Sequence, residues 1–226
     1  FQPAGVELLL GLPSGTNDLD QRLRSACQSE LFSVSNAAVH EGQAEYRFRH
    51  PQLREAAYNL LTTADKQLLH RQALQYLRNT QPDNPALMAE HAASAGDAAE
   101  ALSLLVLAAE SSLQRSSLEE AIRLCSRALE YDPIGTERGL VLGIQILALV
   151  WSSRWEQAGA LGGEALSLLP AGSAIYCKVV GPLCLASLMV GKQDAAVLLA
   201  QRLIQTEPAQ DAVSAYAESM AWMLGA

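Results

Sequence analysis

From residue 102 onward apolar residues recur at helical spacing, and the helices they predict alternate in kind. Leu102–Leu113, Val141–Trp151 and Val179–Val190 are apolar around most of their circumference. Each is followed, across Ser116, Ser153 or Gly191, by a second helix with a recurring ending. Leu118-Glu119-Glu120-Ala121 leads to Ala128-Leu129 and Pro133. Trp155-Glu156-Gln157-Ala158 leads to Ala165-Leu166 and Pro170, and Gln193-Asp194-Ala195-Ala196 to Leu203-Ile204 and Pro208. The closing prolines lie 37 and then 38 residues apart. A period of roughly 20–50 residues marks a solenoid of stacked units. Ala121, Ala158 and Ala196 stand where one helix must approach its partner closely, Ala128 and Ala165 lie two turns further on the same face, and each proline ends its unit because it cannot continue a helix. Residues 209–226 form the first helix of a fourth unit.

Upstream of the repeats the periodicity changes. Val6–Leu12 is a short apolar stretch ended by Pro13, Ser14 and Gly15. A helix capped by Asn17 or Asp18 carries Leu19, Leu23, Cys27 and Leu31 at helical spacing. The period then falls to two: Phe32–Ser35 and Tyr46–Arg49 predict strands, with a turn at Glu41-Gly42-Gln43. Helices followed by such a hairpin make the C-terminal half of a winged-helix domain. A helical pair, Pro51–Leu61 and Ala64–Arg78, leads to a soft boundary at Pro82, Asn84 and Pro85. The expected organisation is a winged-helix portion over 1–50, a connecting helical pair over 51–81 and repeats over 82–226. The fold class is mainly α.

Composition fits closely packed helices: half of the 226 residues are apolar but only 5% are aromatic. With 24 acidic against 16 basic residues, a net charge of −8 disfavours nucleic acid as a direct partner, since phosphate binding needs clustered Lys and Arg. The candidate recognition helix, about Asp18–Glu30, balances Arg22 and Arg24 against Asp18, Asp20 and Glu30. No apolar run reaches about 18 residues, so no membrane span is expected. Cys27, Cys125, Cys177 and Cys184 form no C-x-x-C pair and read as buried thiols of a cytoplasmic protein. His40, His50, His70 and His91 show no metal-ligand spacing with them. Gly11–Thr16 lacks the Lys and the spacing of a phosphate loop and reads as an interhelical turn. No motif for a catalytic site occurs, so no enzyme and no cofactor are expected in this stretch. The absence of an initiator Met before Phe1 and the halt at Ala226 within a helical pattern read as a fragment of a longer chain.

The small residues and closing prolines of residues 84–226 resemble the tetratricopeptide repeat, with departures at Leu203, where the pattern prefers Ala, and in a spacing above the usual ~34 residues. The segment from Tyr46 through His50-Pro51-Gln52-Leu53-Arg54-Glu55 to Tyr58, with His70-Arg71 twelve residues after Tyr58, is similar to a particular junction. It looks like the boundary between winged helix and repeats in STAND-class signalling ATPases, including large LuxR-type and maltose-regulator-like transcriptional regulators. That resemblance covers essentially the whole chain. It implies an NTPase module upstream in cis, a winged helix acting as an internal switch, ADP or ATP bound by the full-length protein, and often a DNA-binding or other effector domain.

In plant and animal relatives of that class, a Met-His-Asp motif ends the winged helix and its histidine contacts the β-phosphate of ADP. His50 occupies the matching place and Leu53-Arg54-Glu55 parallels the Leu-Arg-Asp that follows, but Arg49 replaces Met and Pro51 replaces Asp. His50 is therefore a nucleotide-sensing candidate by resemblance; the alternative is a cap on the strand-to-helix turn through a ring hydrogen bond. For a protein segment or small effector bound on the repeats, helix position nominates Gln145, Leu149, Lys178 and Ser187 as groove residues. Trp151 and Trp155 read as repeat core in preference to a groove-lining pair, and Trp222 as exposed in the last helix. The competing reading is a repeat-built adaptor with no nucleotide-linked switch.

Overall fold

The computed structural model describes residues 3–11, 17–35 and 45–225. Among them are twelve α-helices and one two-stranded antiparallel sheet, a mainly α architecture. The chain divides into two compact units, Phe1–Ala101 and Leu102–Ala226. The division falls within one helix, α6 (Ala98–Gln114), whereas the sequence suggested a boundary at 81–82.

The first unit opens with α1 (Pro3–Leu10) and α2 (Asn17–Gln28), followed by strands β1 (Phe32–Ser35) and β2 (Glu45–Phe48). Leu19 and Leu23 of α2 are buried against Tyr46 of β2, with Val6, Cys27 and Phe32 around them. Leu31 does not continue that stripe. Glu30 adopts a left-handed φ of 60°, its N–H donates to Cys27 O and that of Leu31 to Ala26 O, a closure that stops the helix and leaves Leu31 exposed. The strands pair Phe32 with Phe48 and Val34 with Tyr46, and the two phenyl rings meet edge to face at 4.7 Å. The expected turn at Glu41–Gln43 and most of the Gly11–Thr16 segment lie outside the described residues.

His50, extended at φ −122°, then precedes α3 (Pro51–Asn59), with Pro51 in the first helical position that its fixed φ favours. α4 (Thr63–Thr80) starts with a reciprocal cap between Thr62 and Asp65. Its partner α5 (Pro85–Ser94) is capped by Asn84, whose side chain accepts from the Leu87 N–H.

The second unit is a solenoid of antiparallel helices: α7 (Leu118–Leu129), α8 (Gly135–Trp151), α9 (Trp155–Leu168), α10 (Ala174–Met189), α11 (Gln193–Ile204) and α12 (Val213–Gly225). Ala121, Ala128, Ala158, Ala165 and Leu203 are fully buried, and Ala196 nearly so. A Cβ on Gly162 would lie 2.9 Å from Leu183 Cδ1, so the α9–α10 approach leaves no room for a side chain there. The turns repeat as well. Ser116, Ser153 and Gly191 all have φ between 59° and 74°. In each, that residue's N–H donates to the carbonyl three back, and the next N–H reaches the carbonyl five back.

One helix is braced from outside. Pro182 stands inside α10, where it can give no N–H to the carbonyl four residues earlier. Ser219 of α12 sits against the adjoining turn: Gly181 N–H donates to its Oγ at 3.1 Å, and its hydroxyl donates to Cys177 O. A Cβ on Gly181 would come within 2.8 Å of Ser219 Cα, so glycine is required for this contact.

Two substitutions test the packing and the turns. Ala158→Glu should lower unfolding stability by about 3–5 kcal/mol, because its carboxylate would be buried without a partner. Ser153→Gly should raise it by about 1 kcal/mol by relieving a left-handed conformation that L-residues resist. Denaturant unfolding followed by circular dichroism checks both.

Candidate functional site

The hairpin and α3 bring the junction residues to one place. Tyr46, Arg47, Phe48, Pro51 and Arg54 line an open depression of about 420 Å³ where β2 passes into α3. Arg47 is held by Glu45, with Nη2 3.1 Å from Oε2, and its hydrogen bond keeps the Glu45 carboxyl below the ordinary carboxylate range. Arg54, one turn into α3, forms no ion pair among the described residues. His50 is exposed and makes no side-chain capping bond, so the ring-cap alternative does not describe it. Its carbonyl accepts the Leu53 N–H at 3.1 Å, leaving the imidazole directed at no helix donor. The lining offers guanidinium groups and an aromatic edge to an anionic or planar ligand, and His50 is not among its residues. Every residue of α3 is exposed, Leu53 and Tyr58 included, so this helix presents apolar surface as well.

The groove nominated on the repeats is not assembled as expected. Leu149 and Ser187 are in the core, 3% and 7% exposed, and the Ser187 hydroxyl donates to Leu183 O within its own helix. The reason is coverage: between Gly139 and Val150 of α8, only Leu140 and Gln145 escape burial. Gln145 is half-buried, with Nε2 3.4 Å from Ser126 Oγ of α7 and its Oε1 buried without a partner. Lys178 alone of the four is exposed.

A different surface is available at the end of the helices. Trp151, the last residue of α8, is 52% exposed and meets the half-buried Trp222 of α12 edge-on, with ring centroids 5.1 Å apart. This corrects the reading of Trp151 as core; Trp155 does pack against the core cluster. Met189 at the end of α10 is also exposed, and with Trp155 and Val190 it lines a depression of about 400 Å³ that includes Arg154 and Glu156. Arg154 is tied to Glu119. The signal missed in the sequence was position: Trp151 falls beyond the covered stretch of its helix, two residues before the left-handed Ser153.

Two further groups of reactive side chains were only partly legible. Burial pushes the Cys125 thiol up to about 12 and raises those of Cys177 and Cys184, which makes them poor nucleophiles. Tyr58, His70 and His91 form a chain across α3, α4 and α5: Tyr58 Oη lies 3.0 Å from His70 Nε2, and His70 Nδ1 lies 3.0 Å from His91 Nδ1. The Tyr58–His70 spacing was noticeable in sequence; His91 was not. Among the described residues no group of three or more His, Cys, Asp or Glu is placed to hold a metal ion, and no helix is long and apolar enough to cross a membrane.

An uncharacterised protein of Rhizobium meliloti (strain 1021) is 32% identical over 113 residues, a match that covers 48% of this chain and 11% of the relative. The chain thus corresponds to a small part of that relative's length. No family model matches the chain, and no solved structure matches it.

Leu149→Ala should cost about 2–5 kcal/mol. Trp151→Ala should cost less than half as much and should remove the most quencher-accessible indole emission. Thermal unfolding and acrylamide quenching separate these outcomes.

Proposed function

We propose that this chain is a non-catalytic sensor and scaffold segment of a STAND-type regulatory protein, in the style of the large LuxR-type transcriptional regulators. In this reading the repeats bind a protein segment or small effector in the cytoplasm. Binding shifts an equilibrium between a closed, ADP-holding state and an open one through the hairpin–α3 junction. The observation that carries it is the junction itself: a strand running into His50, free of any capping bond, then Pro51 and an α3 exposed along its whole length. Such a helix, with apolar Leu53 exposed on it, suits a surface on which an upstream NTPase module rests in cis. Of the groove residues first nominated, Lys178 remains as a surface candidate; Trp151, Trp222 and Met189 join it.

A stand-alone repeat adaptor is the second reading. The exposed Trp151–Trp222 edge and Met189 favour it, because aromatic and methionine side chains anchor protein partners and need no nucleotide.

The deciding experiment uses the full-length protein. Its reading frame should contain a G-x-x-x-x-G-K-[ST] loop upstream of this segment, and His50→Ala should accelerate ADP release. An unchanged ADP off-rate removes His50 from the mechanism, and the lack of any phosphate loop in the frame gives the adaptor reading preference. In either case Trp151→Ala should weaken capture of a partner on the repeats without lowering helicity.

A further inference from the structure

The Tyr58–His70–His91 chain has a proton count that matters. Two Nδ1 atoms facing each other at 3.0 Å can share only one proton between them. If His70 carries it, its Nδ1–H donates to His91, and its bare Nε2 accepts from the Tyr58 hydroxyl. If His91 carries it, His70 Nδ1 accepts and Nε2–H donates to Tyr58 Oη. Either arrangement satisfies all three side chains. A first added proton is also accommodated, because a doubly protonated His70 donates at both ends. A second is not: it places two N–H groups and two positive charges nose to nose.

We propose that this chain is an acid-released clamp that holds α5 to α4 while its two imidazoles carry at most one extra proton, and frees α5 when both become cationic.

The surroundings fix the direction of the response. Burial lowers the affinity of His70 for a proton below the ordinary value of 6.5. His91 is lowered by burial first and by His70 second, against an opposing pull from Glu90 on the same helix. From α3 the facing group is Tyr58, and the Lys66 ammonium of α4 stands 4.5 Å from the centre of its ring, a positive charge on that side. α1 packs on α4 at Gly5 against Tyr76, more than a turn from His70, and its single charge is Glu7. At the start of α6, a Cβ on Gly96 would lie 3.1 Å from Gln67 Nε2, Glu100 is paired with Arg78, and the Asp97 carboxylate accepts from the Glu100 N–H.

Groups whose folded proton affinity is depressed stabilise the closed state fully above the ordinary histidine value. That contribution is lost as pH falls below 6.5. With one more proton bound when open than when closed, the opening constant should rise about tenfold per pH unit once the clamp is singly protonated.

The test follows amide hydrogen exchange of α5 in the full chain from pH 7.5 to 4.5, corrected for intrinsic exchange, with histidine-selective ¹⁵N spectra alongside. Wild type should show coupled imidazole titrations and α5 opening that steepens toward acid, while overall helicity holds. His91→Gln keeps a polar side chain without a titration, and should flatten the acid slope of α5 exchange. Tyr58→Phe removes the far acceptor and should move the opening to higher pH. Independent imidazole titrations at ordinary values, equal slopes in wild type and His91→Gln, or loss of helicity over the same range in both, would overturn the clamp.

Discussion

The second unit stands on the short distance between its helix axes. Ala121, Ala128, Ala158 and Ala165 have no exposed surface at all, and Gly162 lies so close to Leu183 that even a methyl group would displace it. Close approach brings Leu142, Ile146, Val179 and Leu183 of neighbouring helices into one continuous core, where many weak dispersion contacts add up. In repeat proteins each unit rests only on its neighbours, so a failure of this spacing in one unit exposes the face of the next. The left-handed turns at Ser116, Ser153 and Gly191 serve the same end: they reverse the chain in two residues and keep the paired helices near enough to touch.

The first unit is built on a different balance. Around α2 and the hairpin its core is a small cluster of Leu19, Leu23 and Tyr46, and α3 contributes nothing buried. Polar chemistry does more there: the reciprocal cap of Thr62 and Asp65, the Arg49–Glu30 bridge at 2.8 Å closing the hairpin base, and the histidine chain. Exposed ion pairs of this kind contribute little to stability. The hairpin region is thus lightly held, whereas α4 and α5 bury Leu74, Leu77, Met88 and Ala92.

Much of the fold was legible because its signals are local and periodic. Alanines seven residues apart, prolines 37 and 38 residues apart and turn residues between them specify helix, face and turn at once. The two strands were legible by alternation, and Pro51 by its preference for a helix start. Most of what the sequence did not disclose depends on neighbours distant in the chain. Leu149 and Ser187 looked available because a helix in isolation has a free side; packing against adjoining helices removed it. Leu31 matched the stripe of α2, yet the left-handed Glu30 ended the helix before it. His91 is twenty-one residues from His70, and only the α4–α5 pairing brings the rings together.

The hydroxyl of Ser219 accepts from the Gly181 N–H and donates to Cys177 O, bridging a donor and an acceptor one turn apart in α10. The carbonyl that Pro182 leaves without its usual donor is that of Lys178, beside this bridge, and the bridging side chain comes from some forty residues further on. During synthesis α10 therefore emerges before the side chain that braces it. Stability in this part of the solenoid thus runs backward along the chain, from α12 to α10, against the direction in which the chain is made.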